Sequence, residues 1–246
     1  MILDSHEIHQ GGSNERIILT CDHASNRVPD AIGDIGLSEQ DMARHIAYDV
    51  GARGVTLALA DTLGATAILS RFSRIVIDPN RSERDPTLVR RIYDRSVIEG
   101  NRHADAAEVA RRIEAYFRPY HDAIDTHIAR SRAGGITPAI VAIHSYTPQL
   151  IGRPPRPWHV GILWDEIDGR MALPIIAALQ AEGFCVGNNE PYPGKYGDDS
   201  QDRHAMQQGL PNVLIEIRND LIADEAGQNA WAARLAPHLE RIVSGL

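Results

Sequence analysis

The sequence Ala-Ile-Val-Ala-Ile-His-Ser-Tyr-Thr-Pro at residues 139–148 decides the fold that we expect for this chain. Its five apolar residues, 139–143, predict a strand buried on both faces, and Pro138 and Pro148 bracket the segment. Ligands of open α/β sheets bind at the carboxyl ends of the strands, so His144 is placed where chemistry usually happens. The alternative is a histidine that caps the strand and is satisfied by a nearby backbone group.

The length of 246 residues suits one α/β domain, residues 1–246, with the composition of a soluble globular chain. No apolar run approaches the roughly 20 residues of a transmembrane helix, and the acidic N-terminus lacks the pattern of a secretory signal. We therefore expect a cytoplasmic protein with no membrane partner, in which Cys21 and Cys185 are reduced. The sequence sets no oligomeric state.

The charge of the chain limits its partners. A net charge of −8 argues against nucleic acid. Arginines nevertheless cluster between residues 71 and 95, and local positive charge in an acidic protein indicates a small anionic ligand. A solvated surface rich in salt bridges explains the same cluster equally well.

Hydrophobic patterns predict alternating strands and helices. Strands are predicted over residues 15–22, 65–70, 74–78, 139–143, 159–164, 184–187 and 211–217, and helices over 38–50, 55–63, 102–132, 171–183, 198–208 and 225–243. Ser38 is the predicted N-cap of the first helix, and Pro119 should bend or divide the long one. Residues 82–100 are interpreted as a surface excursion and residues 188–197 as a loop that forms either a lid or a wall of a site.

Polar residues fall at the ends of four predicted strands: His23, residues 78–81, His144 and Glu216. Two histidines and a carboxylate in one crevice suit a divalent metal, most naturally zinc. The remaining acid would act as a general base, while Asn80 and Arg81 could hold a substrate carboxylate. This pattern indicates a hydrolase of a small anionic amide, although any α/β protein has polar residues at strand ends.

Five segments, in order along the chain, resemble the N-formylglutamate amidohydrolase family. They are His-Ala-Ser-Asn-Arg-Val-Pro at 23–29, Asp-Pro-Asn-Arg at 78–81, His-Ser-Tyr at 144–146, Asn-x-x-Tyr-x-Gly at 189–194 and Glu-Ile-Arg-Asn-Asp-Leu at 216–221. The resemblance extends to zinc carboxypeptidases and aspartoacylase-like deacylases. It implies a three-layer α/β/α fold with a mixed, mostly parallel sheet, and hydrolysis of an N-acyl amino acid such as N-formylglutamate to formate and glutamate. It also implies one divalent metal, zinc, and a place in histidine catabolism.

The resemblance assigns catalytic roles to four residues. His23 and His144 become metal ligands, and Glu216 becomes the base and proton shuttle. Arg74 becomes the group that polarises the scissile carbonyl.

The resemblance likewise makes Asn80 and Arg81 the clamp for the substrate carboxylate. Tyr192 and Tyr196 either close over the substrate or only pack. Outside this set, His121 is expected to pack or lie at the surface. His204 is expected at the surface, with a supporting position behind the site as the alternative.

One position departs from the pattern of the related enzymes, which have a glutamate ligand three residues after the first histidine. Asn26 stands there in this chain. Either Asn26 coordinates through its oxygen, or Asp22, Asp41 or Asp49 replaces it, or the site binds metal loosely or not at all. Two rivals therefore stay open: a deacylase or carboxypeptidase-like hydrolase of different specificity, and a non-catalytic relative that binds a carboxylate.

Overall fold

The computed structural model describes residues 5–194 and 197–246, and within them the strands form one large sheet and one hairpin. In chain order the strands are β1 (His6–Gln10), β2 (Asn14–Cys21), β3 (Ala65–Ser70), β4 (Ile92–Tyr93), β5 (Ser96–Val97), β6 (Ala139–Tyr146), β7 (Val160–Leu163), β8 (Val186–Asn188) and β9 (Asn212–Arg218). Strands β4 and β5 form the hairpin, inside the segment predicted to be a surface excursion. The other strands form the sheet in the order β1-β3-β2-β6-β9-β7-β8.

Strand β6 is the centre of this sheet, as its apolar run predicts, and it is buried along its whole length. Its neighbours β2 and β9 run parallel to it. The strands are also parallel within the pairs β2/β3 and β7/β8. The pairs β1/β3 and β7/β9 are antiparallel. The sheet is therefore mixed and mostly parallel, which confirms the predicted type of fold.

Helices cover both faces of the sheet. They are α1 (Glu39–Met42), α2 (Ala52–Leu63), α3 (Ala106–Arg112), α4 (Arg118–Ala133), α5 (Ala172–Ala181), α6 (Ser200–His204) and α7 (Glu225–Ser244). Residues of α2, α5 and α7 share one hydrophobic core with the sheet, and residues around α4 share a second core with the sheet. The architecture is thus three-layer α/β/α. Among the described helices, none has both the length and the apolar content needed to cross a membrane.

Strand β1 was not predicted. It pairs antiparallel with β3 at the edge of the sheet, and its sequence His-Glu-Ile-His-Gln contains a single apolar residue, Ile8. An edge strand with one solvated side needs little apolar pattern, because its position is fixed by backbone hydrogen bonds to one neighbour.

The helix predicted over residues 38–50 is wrong beyond its first turn. Ser38 is indeed the N-cap and accepts a hydrogen bond from Asp41 N at 3.1 Å, but α1 ends at Met42. The backbone that follows bonds to distant segments: Ser73 Oγ donates to Ala47 O at 2.6 Å, and Asp49 N donates to the carbonyl of residue 23 at 2.9 Å. A helix would have used those groups internally, so the long-range bonds exclude it.

The strand predicted over residues 74–78 is also wrong. The apolar side chains are buried as expected, but the backbone forms a turn in which Val76 N donates to Ser73 O at 2.9 Å. The carbonyl of Ile75 accepts from the side-chain amide of Asn101 at 2.6 Å. Because side chains and a local turn satisfy these backbone groups, the segment needs no neighbouring strand.

The long helix predicted over residues 102–132 is divided, as expected from Pro119. A π-helical turn (Ile113–Phe117) separates α3 from α4, and Pro119 lies in the first turn of α4. Proline has no N–H to give to the carbonyl four residues earlier, so the helix widens at this point.

Candidate active site

Three predicted site residues meet because β2, β6 and β9 are adjacent and parallel. His23 follows the end of β2, His144 lies near the carboxyl end of β6, and Glu216 lies beside His144 on β9 in register. All three side chains are buried. The strand order therefore places two imidazoles and a carboxylate at one edge of the sheet, as the sequence predicts.

Asp49 joins the two histidines into a group that could hold a metal ion. Its Oδ2 lies 3.3 Å from His23 Nδ1 and 2.9 Å from His144 Nδ1. One ligand atom from each of the three residues lies within 4.8 Å of the other two. Two imidazole nitrogens and one carboxylate oxygen are the donor set of many catalytic zinc sites, so the residues fit that metal.

A buried carboxylate holds the other nitrogen of each imidazole. His23 Nε2 lies 2.7 Å from Asp78 Oδ1, and His144 Nε2 lies 3.0 Å from Asp22 Oδ2. Such a contact fixes the orientation of a ring and leaves its second nitrogen to coordinate a metal, and histidine ligands almost always have one. The fit to a metal therefore extends to the residues behind the ligands.

The carboxylates of this group remain ionised. Burial alone would raise the pKa of Asp22, but hydrogen bonding to His144 holds it at about 2. Burial acts on Asp49 and Asp78 in the same way, yet His23 holds the pKa of Asp49 well below its usual range, and Arg74 with His23 does the same for Asp78. Arg74 donates to both Asp49 and Asp78, so a positive charge of the protein already balances part of this buried negative charge.

Asn26, the positional match to the ligand of the related enzymes, lies outside this group. It is exposed, and its side-chain amide donates to Met42 O at 2.9 Å. Of the substitutes, Asp22 lies behind His144, and Asp41 binds Arg44 near the surface. Asp49 contacts both rings because its own N–H is hydrogen-bonded to the carbonyl of residue 23. The residue that contacts the histidines is therefore Asp49, 26 residues downstream of His23, and not Asn26, where the pattern predicts the ligand.

Glu216 has the environment of a general base. Its Oε2 is buried and has no hydrogen-bond partner among the described residues. Burial raises the pKa of Glu216 to about 7, although His144 opposes this shift. A carboxyl with a pKa near neutrality exchanges protons readily at neutral pH, as general acid–base catalysis requires.

The raised pKa of Glu216 leads to a prediction for the metal-free protein. The Glu216 carboxyl has a reference pKa of 4.5 and a pKa of about 7 in the folded protein. Between these pH values the folded protein binds more protons than the unfolded protein, so the free energy of unfolding falls as the pH rises. Replacing the carboxylate by a neutral amide in Glu216→Gln is expected to raise the free energy of unfolding by up to about 3 kcal/mol at alkaline pH and little under acidic conditions. Urea unfolding with a chelator present measures this difference. Glu240→Gln, on the exposed side of α7, is the control, and a parallel pH dependence of wild type and Glu216→Gln would contradict the assignment.

Arg74 is fixed beside the histidines by two buried carboxylates. Its Nη1 donates to Asp49 Oδ1 and its Nη2 donates to Asp78 Oδ2, each at 3.2 Å. The guanidinium also lines the cavity of the site. These bonds place a permanent positive charge next to the His–Asp–His group.

Asn80, Arg81 and Tyr192 line the same cavity as His23, His144 and Glu216. The carbonyl oxygen of the Asn80 side chain accepts from the backbone of residue 200 at 3.2 Å, which ties the loop after Asp78 to α6. Tyr192 packs on an apolar cluster made by three residues of the sheet: Ala142, Leu163 and Leu214. Tyr196 lies outside the described residues, so its predicted role remains a prediction.

Several residues of the cavity were not found from the sequence: His45, Tyr93, Ser145, Asp199 and Gln201. His45 is buried with its Nδ1 3.4 Å from Asp49 Oδ1, and burial lowers its pKa to about 4, so it is neutral. The four-residue spacing of His45 and Asp49 was the only signal available, and it resembles the solvated face of a helix. Tyr93 belongs to a two-residue strand that carries no pattern at all.

The surface role predicted for His204 is wrong. The ring is buried, with Nε2 2.7 Å from His121 Nδ1 and Nδ1 2.8 Å from Asp125 Oδ1. His204 thereby joins α6 to α4 and supports the elements that carry Gln201 into the cavity, while His121 has the packing role expected of it.

Solved structures share this fold. A gene product of Agrobacterium tumefaciens has a TM-score of 0.92 and 36% sequence identity, with 98% of this chain and 95% of that chain covered. An N-formylglutamate amidohydrolase from Ralstonia eutropha has a TM-score of 0.78 and 20% identity, with 98% of each chain covered. A bacteriophage poly-gamma-glutamate hydrolase has a TM-score of 0.52 and 10% identity, with 98% and 91% covered. No curated protein has significant sequence similarity to this chain.

The mixed sheet, its two helical layers and the site at the strand ends define a protein of the zinc-carboxypeptidase-like fold class. The family model described as N-formylglutamate amidohydrolase matches residues 15–223. The chain belongs to the N-formylglutamate amidohydrolase family, a family of hydrolases, as the five sequence segments predict.

Proposed function

We propose that the protein is a metal-dependent amidohydrolase that cleaves an N-acyl amino acid, with N-formyl-L-glutamate as the first candidate substrate. The observation that carries the proposal is the shared cavity. It is lined by the His23–Asp49–His144 group, by Glu216, whose Oε2 has no hydrogen-bond partner in the described part of the chain, and by a pair of residues suited to a carboxylate. Membership of the family supports the reaction type. In this reaction water adds to the acyl carbon, the C–N bond breaks, and the products are formate and glutamate.

The three ligands proposed for the metal are His23, Asp49 and His144. Zinc is the metal that this donor set suits best. When bound, such a metal lowers the pKa of water to about 7 and polarises a carbonyl oxygen, which makes hydrolysis accessible at neutral pH. Asp22 and Asp78 hold the two imidazoles in the orientation that this requires.

Glu216 is proposed to move the proton. Its carboxylate accepts a proton from the attacking water and returns it to the nitrogen that leaves as an amine. Its burial and its position beside His144 support this role. Arg74 is proposed to stabilise the negative charge that develops on the carbonyl oxygen, because its guanidinium is held at the cavity wall by Asp49 and Asp78.

Asn80 and Arg81 are proposed to hold the carboxylate of the substrate, with Tyr192 as the facing wall. A guanidinium forms paired hydrogen bonds with a planar carboxylate. Arg81 would therefore select substrates whose amine half carries a carboxylate over neutral amides. The non-catalytic alternative rested on Asn26 at the position of a ligand. It loses that support because Asp49 contacts both histidines.

Formate release and metal content, measured on the same preparation, test the proposal. We expect about one zinc per chain and formate release from N-formyl-L-glutamate that a chelator abolishes and zinc restores. Zinc without formate release would favour a deacylase of different specificity. The absence of both zinc and formate release would favour the carboxylate-binding alternative.

Arg81→Ala is expected to weaken substrate binding more than turnover. Loss of a charge-assisted pair to a carboxylate corresponds to roughly 2–3 kcal/mol, so KM for N-formyl-L-glutamate should rise about 30- to 150-fold while kcat changes less than about tenfold. Steady-state kinetics measure both. Arg84→Ala, an exposed arginine three residues away, is the matched control. An unchanged KM in Arg81→Ala would refute the clamp.

A further inference from the structure

A second cavity adjoins the site and shares two of its walls. This groove lies between residues 43–50, the β4–β5 hairpin and residues 147–151. His45 and Tyr93 line both the groove and the site cavity. His45 also lies 3.4 Å from Asp49, so the shared wall stands directly beside the proposed metal ligands.

Four of the residues that line the groove are aliphatic, namely Ile46, Val50, Leu150 and Ile151, and they lie beside the polar residues Thr147, Gln149 and Asn219. Ile151 is 49% exposed and lies within the groove. Isolated exposed apolar residues are common, but four lining one groove next to a reactive centre are typical of a ligand subsite.

The charged residues of the groove neutralise each other. Arg44 Nη2 lies 3.0 Å from Asp94 Oδ2, and Arg44 Nη1 lies 2.7 Å from Asp41 Oδ1. The same arginine donates to Ser96 Oγ at 2.9 Å and so holds the hairpin that carries Tyr93. A groove whose charges are already paired favours an uncharged occupant, because a charged one would lose its hydration without gaining a partner.

The position of the groove indicates which half of a substrate would reach it. Asn80 and Arg81, the proposed carboxylate clamp, line the site cavity and do not line the groove. The amine half of the substrate carries the carboxylate and belongs at the clamp. The acyl half lies on the other side of the scissile bond, and His45 and Tyr93 are the residues of the site cavity that also line the groove.

We propose that the groove binds the acyl chain of the substrate, so that the protein accepts, besides the formyl group, N-acyl amino acids whose acyl group is a longer uncharged chain. This inference rests on the proposed amidohydrolase function and specifies its substrate class. Tyr93 has the role of a specificity-determining wall, with its ring held by the Arg90 guanidinium 4.5 Å from the ring centroid.

The test is a series of N-acyl-L-glutamates with formyl, acetyl, butyryl and hexanoyl groups, assayed with the full-length zinc-loaded protein. We expect kcat/KM to rise from acetyl to hexanoyl by roughly two- to fourfold for each added methylene, as expected when much of each CH₂ leaves water. Leu150→Trp, which fills the groove, and Ile151→Asp, which places a charge in it, should each remove the rise. Ile167→Trp alters an isoleucine that is 85% exposed outside both cavities and should keep it.

The two levels of the proposal fail in different ways. Hydrolysis of N-formyl-L-glutamate combined with a flat or falling series would overturn the groove alone. A rise that persists in both Leu150→Trp and Ile151→Asp would do the same. Inactivity towards every member of the series, formyl included, would overturn the proposed function and the inference with it.

Discussion

Glu216→Gln is expected to bind zinc like the wild type and to lose about 10²- to 10⁴-fold in kcat, the range for removing a general base. Glutamine has the same shape but accepts no proton, so the step that activates water loses its base. Glu216 is not among the atoms of the His23–Asp49–His144 group, so metal binding should survive. The physical basis of this expectation is the buried Oε2, which has no hydrogen-bond partner within residues 5–194 and 197–246, together with the pKa of about 7.

The measurement combines zinc stoichiometry with steady-state kinetics on the same preparation. Glu240→Gln, the same substitution at an exposed position of α7, should have wild-type activity and shows that the exchange itself is harmless. Activity within about tenfold of the wild type would remove Glu216 from its role as base. Loss of zinc from Glu216→Gln would instead make it a ligand.

Asp49→Asn is expected to lower the zinc affinity by at least about 100-fold, while Asn26→Ala leaves it unchanged. An amide oxygen carries no charge and is a poorer ligand than a carboxylate, and the contacts of Asp49 with both imidazoles predict that the carboxylate is needed. Asn26 has an exposed side chain bonded to Met42, so its removal leaves the group intact.

Competition with a chromophoric chelator gives the zinc Kd of each variant, and circular dichroism confirms the fold. Asp41→Asn is the matched control, because Asp41 bonds Arg44 away from the group. A normal zinc affinity in Asp49→Asn together with a weakened one in Asn26→Ala would restore the ligand set of the related enzymes and refute Asp49.

The residues at strand ends could be predicted because their positions follow from local pattern. The apolar runs before His23, His144 and Glu216 indicate strands, and parallel neighbours bring their carboxyl ends to one edge. The family resemblance added roles to residues that pattern alone only located. Most of the sheet, the division of the long helix at Pro119 and the C-terminal helix were likewise predictable, since each leaves a period or a breaker in the sequence.

The failures share one physical cause. Residues 74–78 were predicted to be a strand because the run is apolar, and a buried turn can have the same apolar sequence pattern. Residues 43–50 were predicted to continue the helix for which Ser38 is the N-cap. In both segments the backbone bonds to groups remote in sequence, and local propensity contains no information about those partners.

The sequence by itself determined the α/β/α class, the two histidines and the glutamate of the site, and the family, since these depend on apolar periodicity and on short motifs. Only the tertiary structure decided that Asp49 completes the group and that Asp78 and Asp22 stand behind His23 and His144, 55 and 122 residues away along the chain. The sequence could determine the first set because the tendency of a residue to be buried follows from its own side chain. The distance between two side chains on separate loops is set only when the whole chain has closed around its core.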